Sequence, residues 1–223
     1  MRFLSGLVGA AILASTADAS IITATFNNVG PGSGGAFSLD GGANWNNTGA
    51  AGHFNWTRTG GNYLGAQGNF MSFCCELTEH IGGGSTYNFN VVPLDQGTDS
   101  IGGMGLAKAD LINELFGRYY SPSFGSVLTA DRATAMQLSI WEIVYENSAT
   151  GPRSIATGNA MFTNDNAGAM ALAELYLASL DGSGPRATDL AVMSAGGAQD
   201  QIIPAPGTIA LAGLAGLCFR RRR

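Results

Sequence analysis

Two stretches of this chain, HFNWTRT (residues 53–59) and TYNFNV (residues 86–91), alternate large apolar and polar residues. A period of two is what half-buried strands need, because successive side chains leave a strand on opposite faces. Both lie in a region from Ser20 to about Asp95 broken by Gly and Asn turns, which reads as five strands: 21–27, 35–39, 52–59, 69–81 and 86–93. The Gly/Asn/Ser-heavy stretch 29–47 reads as a long solvated hairpin loop. Beyond Asp95 the period becomes helical three times. Leu106, Ala109, Ile112, Phe116 and Tyr119 form one stripe, with Glu114 and Arg118 as an outer i,i+4 pair. A second, capped by Thr129, carries Ala133, Met136, Ile140 and Val144 inward, with Trp141 and Ile143 behind them, and Ala135, Ser139, Glu142 and Glu146 outward. A third uses Met170, Ala173, Leu177 and Leu180 and stops at the Gly/Pro run 181–185. Residues 190–193 and 199–203 read as closing strands. The expected class is α+β: β-sandwich-like strands with a three-helix segment packed against or inserted into the sheet.

The ends read differently from the body. Residues 1–19 have a charged start at Arg2, an apolar run and an Ala17-Asp18-Ala19 cleavage site, the pattern of a secretory signal peptide. Residues 20–203 then form a single exported domain, and residues 204–223 a tail. That tail opens with Pro204, Ala205, Pro206 and Gly207, continues through a short apolar run rich in Gly, Ala and Leu, and ends in Arg220, Arg221, Arg222 and Arg223. The apolar run is well short of the ~20 residues of a spanning helix, and the arginines would hold its end on the cytoplasmic side. In this three-part order the tail resembles the PEP-CTERM sorting signals of Gram-negative bacteria, with Ala205 standing where the motif has Glu. The resemblance implies export, transient inner-membrane insertion by the tail, cleavage by an exosortase-type processing enzyme and release to the cell surface or extracellular matrix. The alternative is a plain C-terminal membrane anchor. No regular Thr ladder of an ice-binding surface is present.

The formal charge is −5, and four of the eleven basic residues are the terminal arginines, so the body is more acidic still. Such a body does not attract nucleic acid or anionic lipid. Of the three cysteines, Cys218 belongs to the tail. Cys74 and Cys75 are neighbours in a predicted strand and would point to opposite faces, which argues against a vicinal disulfide and separates their roles. Met71, Phe73, Cys75 and Leu77 share an apolar face; Ser72, Cys74, Glu76 and Thr78 share the other. Cys75 reads as packing and Cys74 as chemistry.

On the second helix Gln137 follows Ala133 by four residues and precedes Ile140 by three, so it points into the buried stripe. A buried primary amide needs hydrogen-bond partners, and helix geometry alone reads it as a core glutamine bonded to backbone. FCCEL (residues 73–77) followed by AMQLSIWEI (residues 135–143) resembles the thioester domains of bacterial surface adhesins, where an aromatic-Cys motif precedes Thr-Gln-x-Ala-Ile-Trp and the Cys and Gln side chains join. Carried over by residue, Phe73 matches the aromatic, Cys74 the thioester cysteine, Gln137 its acyl partner, and Ile140 with Trp141 the packing pair. Met136 stands in place of the Thr and Ser139 in place of the Ala. The resemblance implies a stored acyl-sulfur electrophile, shielded from water by Phe73 and Trp141, that acylates an amine on another surface protein or glycan; Glu76 or His80 would take the amine's proton. It implies neither an enzyme nor a cofactor.

Rival readings remain open at this point. Cys74, Cys75, Glu76, Glu79 and His80 gather metal-ligand types, without the C-x-x-C spacing of a zinc site, and no metal is expected. A Cys-His hydrolase would pair Cys74 with His53 or His80, without a nucleophile elbow; His53 otherwise reads as a strand surface residue. Trp45, Trp56 and Tyr63 read either as a sugar-stacking platform or as core and inter-strand aromatics. The second function class is a non-reactive structural protein of the exopolysaccharide or biofilm matrix.

Overall fold

The computed structural model describes residues 20–120, 129–147 and 153–204. The expected signal peptide, residues 1–19, and the expected sorting tail from Ala205 through Gly207 to Arg223 lie outside the described residues. Among the described residues, seven strands and three helices follow one another in the order β1 (Ile21–Ser38), β2 (Asn46–Gly60), β3 (Asn69–Cys74), β4 (Thr86–Pro93), α1 (Gly105–Tyr119), α2 (Ala130–Tyr145), β5 (Met161–Asn164), α3 (Ala167–Ala178), β6 (Leu190–Ala195) and β7 (Ala198–Pro204). Two 3-10 turns, Leu94–Gln96 and Asp99–Ile101, lead from β4 into α1. The class is α+β. Every strand pairing is antiparallel, in the order β2-β3-β7-β6-β4-β1-β5, and a further β1–β2 pairing closes six of the strands into a barrel. The three helices described all lie between β4 and β6 in the chain.

The expected loop over 29–47 is instead largely strand. β1 runs unbroken to Ser38, and only residues 39–45 turn before β2. Its glycines are what let it pair: register shifts at Phe26/Asn28, Val29/Gly32 and Gly35/Ala36 bend the strand, so that its first part pairs with β4 and its last part with β5. At Gly35 a Cβ would strike the Thr163 carbonyl oxygen of β5. Composition alone reads such a segment as loop, but close backbone approach is the second use of glycine in strands. Aromatic side chains fill the barrel. Trp56 is fully buried, meets Phe89 edge-on at 5.5 Å, and donates its indole N–H to Ser72 Oγ at 2.8 Å. It is core, so Trp45, Trp56 and Tyr63 form no platform. His53 is likewise buried, packed over Gly30 and bonded through Nε2 to Asn55 at 3.0 Å, which corrects its reading as a surface residue.

Helix α2 begins as expected, with the Thr129 side chain accepting from Arg132 N. Beyond its first turn, where Asp131 and Arg132 are exposed, it has no outer face, however: Ala135, Ser139, Glu142 and Glu146 are all buried like the inward stripe. The cause is topological, since α2 lies against β1, β2 and β3 on one side and against α1 and α3 on the other. Glu114 of α1 is also buried rather than outer; it bonds Arg118 at 2.7 Å and accepts from the Gly182 and Gly184 amides at 2.9 Å each. The expected stripe of α1 loses Leu106, which is exposed, and gains Leu115. No helix among the described residues is long and apolar enough to cross a membrane.

Glu142 gives this packing a pH signature. Neither carboxylate oxygen makes a hydrogen bond of normal geometry, and burial, reinforced by Glu146 and Glu174 against the opposing Arg153 charge, pushes its pKa up to about 8. A carboxyl raised on folding leaves stability intact below its unfolded value, near 4.5, and drains it as pH rises through 8. Glu142→Gln should therefore leave Tm nearly unchanged at pH 4.5 and raise it by a few degrees at pH 9. A Tm gain independent of pH would contradict this assignment.

Candidate functional site

Strand β3 ends at Cys74, not at residue 81, because only Phe73 and Cys74 find partners on β7, opposite Ile202 and Gln201. The chain then leaves the sheet without reaching solvent: Ser72 through Leu77 are all buried. Both faces are covered, so the expected split into apolar and polar faces does not translate into inside and outside. Cys75 is held by backbone, donating its N–H to Asp200 O at 2.9 Å and accepting from Thr98 Oγ1 at 3.3 Å. Neither Cys74 nor Cys75 is in a disulfide.

Gln137 and Cys74, separated by 63 residues, meet. The Gln137 carboxamide is clamped by the backbone of Cys74: Oε1 accepts from Cys74 N at 3.0 Å, and Nε2 donates to Cys74 O at 2.6 Å. Both residues are fully buried. The Cys74 thiol lies in its own cradle, donating to the Glu76 carbonyl at 2.7 Å and accepting from Glu76 N at 3.3 Å. Gln199 Nε2 donates to that same Glu76 carbonyl at 3.1 Å.

Helix α2 supports this meeting with residues one and two turns beyond Gln137. Trp141 is buried, stacks on Phe162 at 6.2 Å, and turns its indole dipole toward the Cys74 sulfur; its N–H has no normal hydrogen-bond partner. Tyr145 Oη accepts from Leu77 N at 2.9 Å, tying down the segment that follows the cysteines. The helical spacing of Gln137, Trp141 and Tyr145 makes them one row facing the end of β3. One turn before, Thr134 Oγ1 donates to Ala51 O at 2.9 Å and docks the helix on β2. Ile140 is fully buried. Ser139 is buried with its hydroxyl unpartnered, so it occupies a slot that suits an alanine.

The remaining expected residues are placed less centrally. Phe73 is buried against Phe116 at 5.9 Å and Tyr120 at 6.4 Å, so its ring packs on α1. Burial pushes the Cys74 thiol up to about 12, against the favourable Glu76 backbone and Trp141 dipoles. Glu76 touches the sulfur through its backbone alone, while its carboxylate accepts from Thr78 Oγ1 at 3.1 Å. Its pKa is raised by burial. His80 is exposed and lines two adjoining clefts. One, about 490 Å³, has Phe37, Leu39 and Leu77 as apolar walls; the other, about 270 Å³, reaches Phe54 and Trp141. With the thiol bonded to Glu76 and His53 bonded to Asn55, the Cys-His dyad is not assembled.

Tyr145, Gln199 and Gln201 are not singled out by the sequence reading, nor is the bonding of Trp56 through Ser72 to Gln201. For Tyr145 the signal was available, since it repeats the Gln137–Trp141 spacing once more. Comparison of the chain with known protein families, with curated proteins and with solved structures gave no match.

Proposed function

We propose that this chain is an exported cell-surface or matrix protein in which Cys74 and Gln137 form an internal thioester for covalent attachment to amine-bearing proteins or glycans. The observation that supports it most is the double clamp of the Gln137 carboxamide on the Cys74 backbone. In the proposed reaction Cys74 Sγ bonds to the Gln137 carboxamide carbon, the bond from that carbon to Nε2 breaks, and the thiol proton leaves with the nitrogen as ammonia. Cys74 N–H already donates to Oε1, where negative charge develops during attack, so it would act as a preorganised oxyanion donor. Amides are poor acyl donors, and fixed proximity supplies much of what the reaction needs.

An attacking amine would enter by the cleft that Trp141 and His80 line together, with Trp141 shielding the acyl bond from water and exposed His80 accepting the proton. Glu76 is the weaker choice of base, because its carboxylate is turned to Thr78. In this reading the barrel serves as the sandwich-like β scaffold of a thioester domain, with Phe73, Ile140 and Trp141 as packing support. The signal peptide and sorting tail would deliver it through the inner membrane to an exosortase-type enzyme. The test is the covalent state of Cys74, read from the intact mass of the folded chain.

A second reading, a non-reactive structural protein of the exopolysaccharide or biofilm matrix, is favoured by one observation. The same two hydrogen bonds satisfy Gln137 as a core glutamine without any chemistry.

A further inference from the structure

Just beyond Cys74, carboxylate oxygens of Glu76, Glu79 and Asp99 lie within 4.8 Å of one another. They come from two separate loops: Glu76 and Glu79 from the segment after β3, and Asp99 from the 3-10 turn before α1. A second observation distinguishes them from an ordinary acidic patch. Glu76 is fully buried, and although Thr78 donates to its Oε1 and the Ser100 hydroxyl lies close by, its Oε2 has no hydrogen-bond partner of normal geometry; Glu79 Oε2 is buried and unpartnered too. A buried carboxylate oxygen without a partner is costly unless the group is protonated or a positive charge completes it. None of the ion pairs among the described residues includes any of the three.

We propose that Glu76, Glu79 and Asp99 bind a hard divalent cation, calcium in preference to magnesium or zinc. The donors are oxygens only, which disfavours zinc. Oxygens that each lie 2.3–2.6 Å from one calcium ion are at most about 5.2 Å apart, which accommodates the observed spacing. Two hydroxyls adjoin the carboxylates: Thr78 Oγ1 donates to Glu76 Oε1 at 3.1 Å and lies 3.1 Å from Ser100 Oγ. An irregular set of ligands from two loops, one of them exposed Asp99, suits the variable coordination of calcium better than the strict octahedron of magnesium. The loops are positioned from outside the cluster. Asp200 Oδ2 accepts from Thr98 N at 2.7 Å and Asp99 N at 3.3 Å, and Glu79 Oε1 accepts from Gly197 N at 2.9 Å. A bound ion would staple the segment that cradles the Cys74 sulfur to the turn that starts the helical region.

The experiment is calorimetric titration of the full chain, stripped with EDTA, against CaCl2 and separately MgCl2, with Tm recorded at each end point. The expected result is one saturable calcium site with Kd of about 0.1–1 mM, the range of extracellular modules, a higher Tm in calcium, and magnesium at least ~10-fold weaker. Glu76→Gln and Asp99→Asn should each weaken calcium at least ~10-fold, and Asp99, being exposed, can be changed without disturbing the core. No saturable heat and no Tm change in the unaltered chain would overturn the proposal. So would calcium affinity unchanged in folded Asp99→Asn, or equal affinity for magnesium.

Discussion

Incubated with a small primary amine at mildly alkaline pH, the folded chain should take up one amine at Gln137 and release Cys74 as a free thiol. A core glutamine cannot do this, because an amide does not exchange with amines at such a rate, whereas a thioester does. The effect of the decisive variants is complete loss: Cys74→Ala and Gln137→Ala should take up no amine, and Cys75→Ala should react as before. Gln137→Ala leaves the buried N–H and carbonyl of Cys74 without their partners, at a cost of about 1–3 kcal/mol each. Gln137→Glu keeps the acceptor at Oε1 and nearly the same volume, so it separates lost chemistry from lost fold; it too should be inert. His80→Ala should slow uptake by ~100-fold or more if the exposed imidazole on the cleft wall is the general base. Glu76→Gln should change the rate far less, since its carboxylate faces Thr78 rather than the thiol. Peptide mapping decides the matter. Amine adducts scattered over other residues, or none on a chain shown to be folded, would rule out the covalent reading.

What sequence made legible was the part governed by local periodicity. The apolar stripe of α2 placed Gln137 in the interior, and the resemblance of FCCEL and AMQLSIWEI to thioester domains paired it with Cys74, which it meets through the cysteine backbone; the strand read over 69–81 put Cys74 in mid-strand, whereas β3 ends there. Strand β4 has the boundaries its alternation implied. The misreadings have a common cause, which is that one-dimensional patterns cannot see a second covering layer. Glu142 and Ser139 looked solvent-facing because α2 reads as amphipathic, yet α1 and α3 close over them. Glu114 looked like a surface pair until the Gly182 and Gly184 amides were seen to wrap around it. His53 sits on a strand whose outer side is covered at Gly30, where only glycine leaves room for the ring. The barrel closure itself depends on β1 pairing with both β2 and β4 while its end goes on to β5, a property of bulges and glycines for which composition offers only a loop-like signal.

Covalent joining of Cys74 to Gln137 removes one ammonia from the chain, and no hydrogen-bonded arrangement of the same residues changes the mass at all. The intact mass of the folded chain, recorded without added amine or thiol, is therefore the most direct measurement. The account predicts a mass one ammonia below that of the processed sequence, restored to the full value expected for the sequence in Cys74→Ala and in Gln137→Ala, with the deficit kept in Cys75→Ala. In a chain lacking Cys218, only Cys75 should then titrate as a thiol. An intact mass equal to that of the sequence, with Cys74 and Cys75 both titrating, would contradict it.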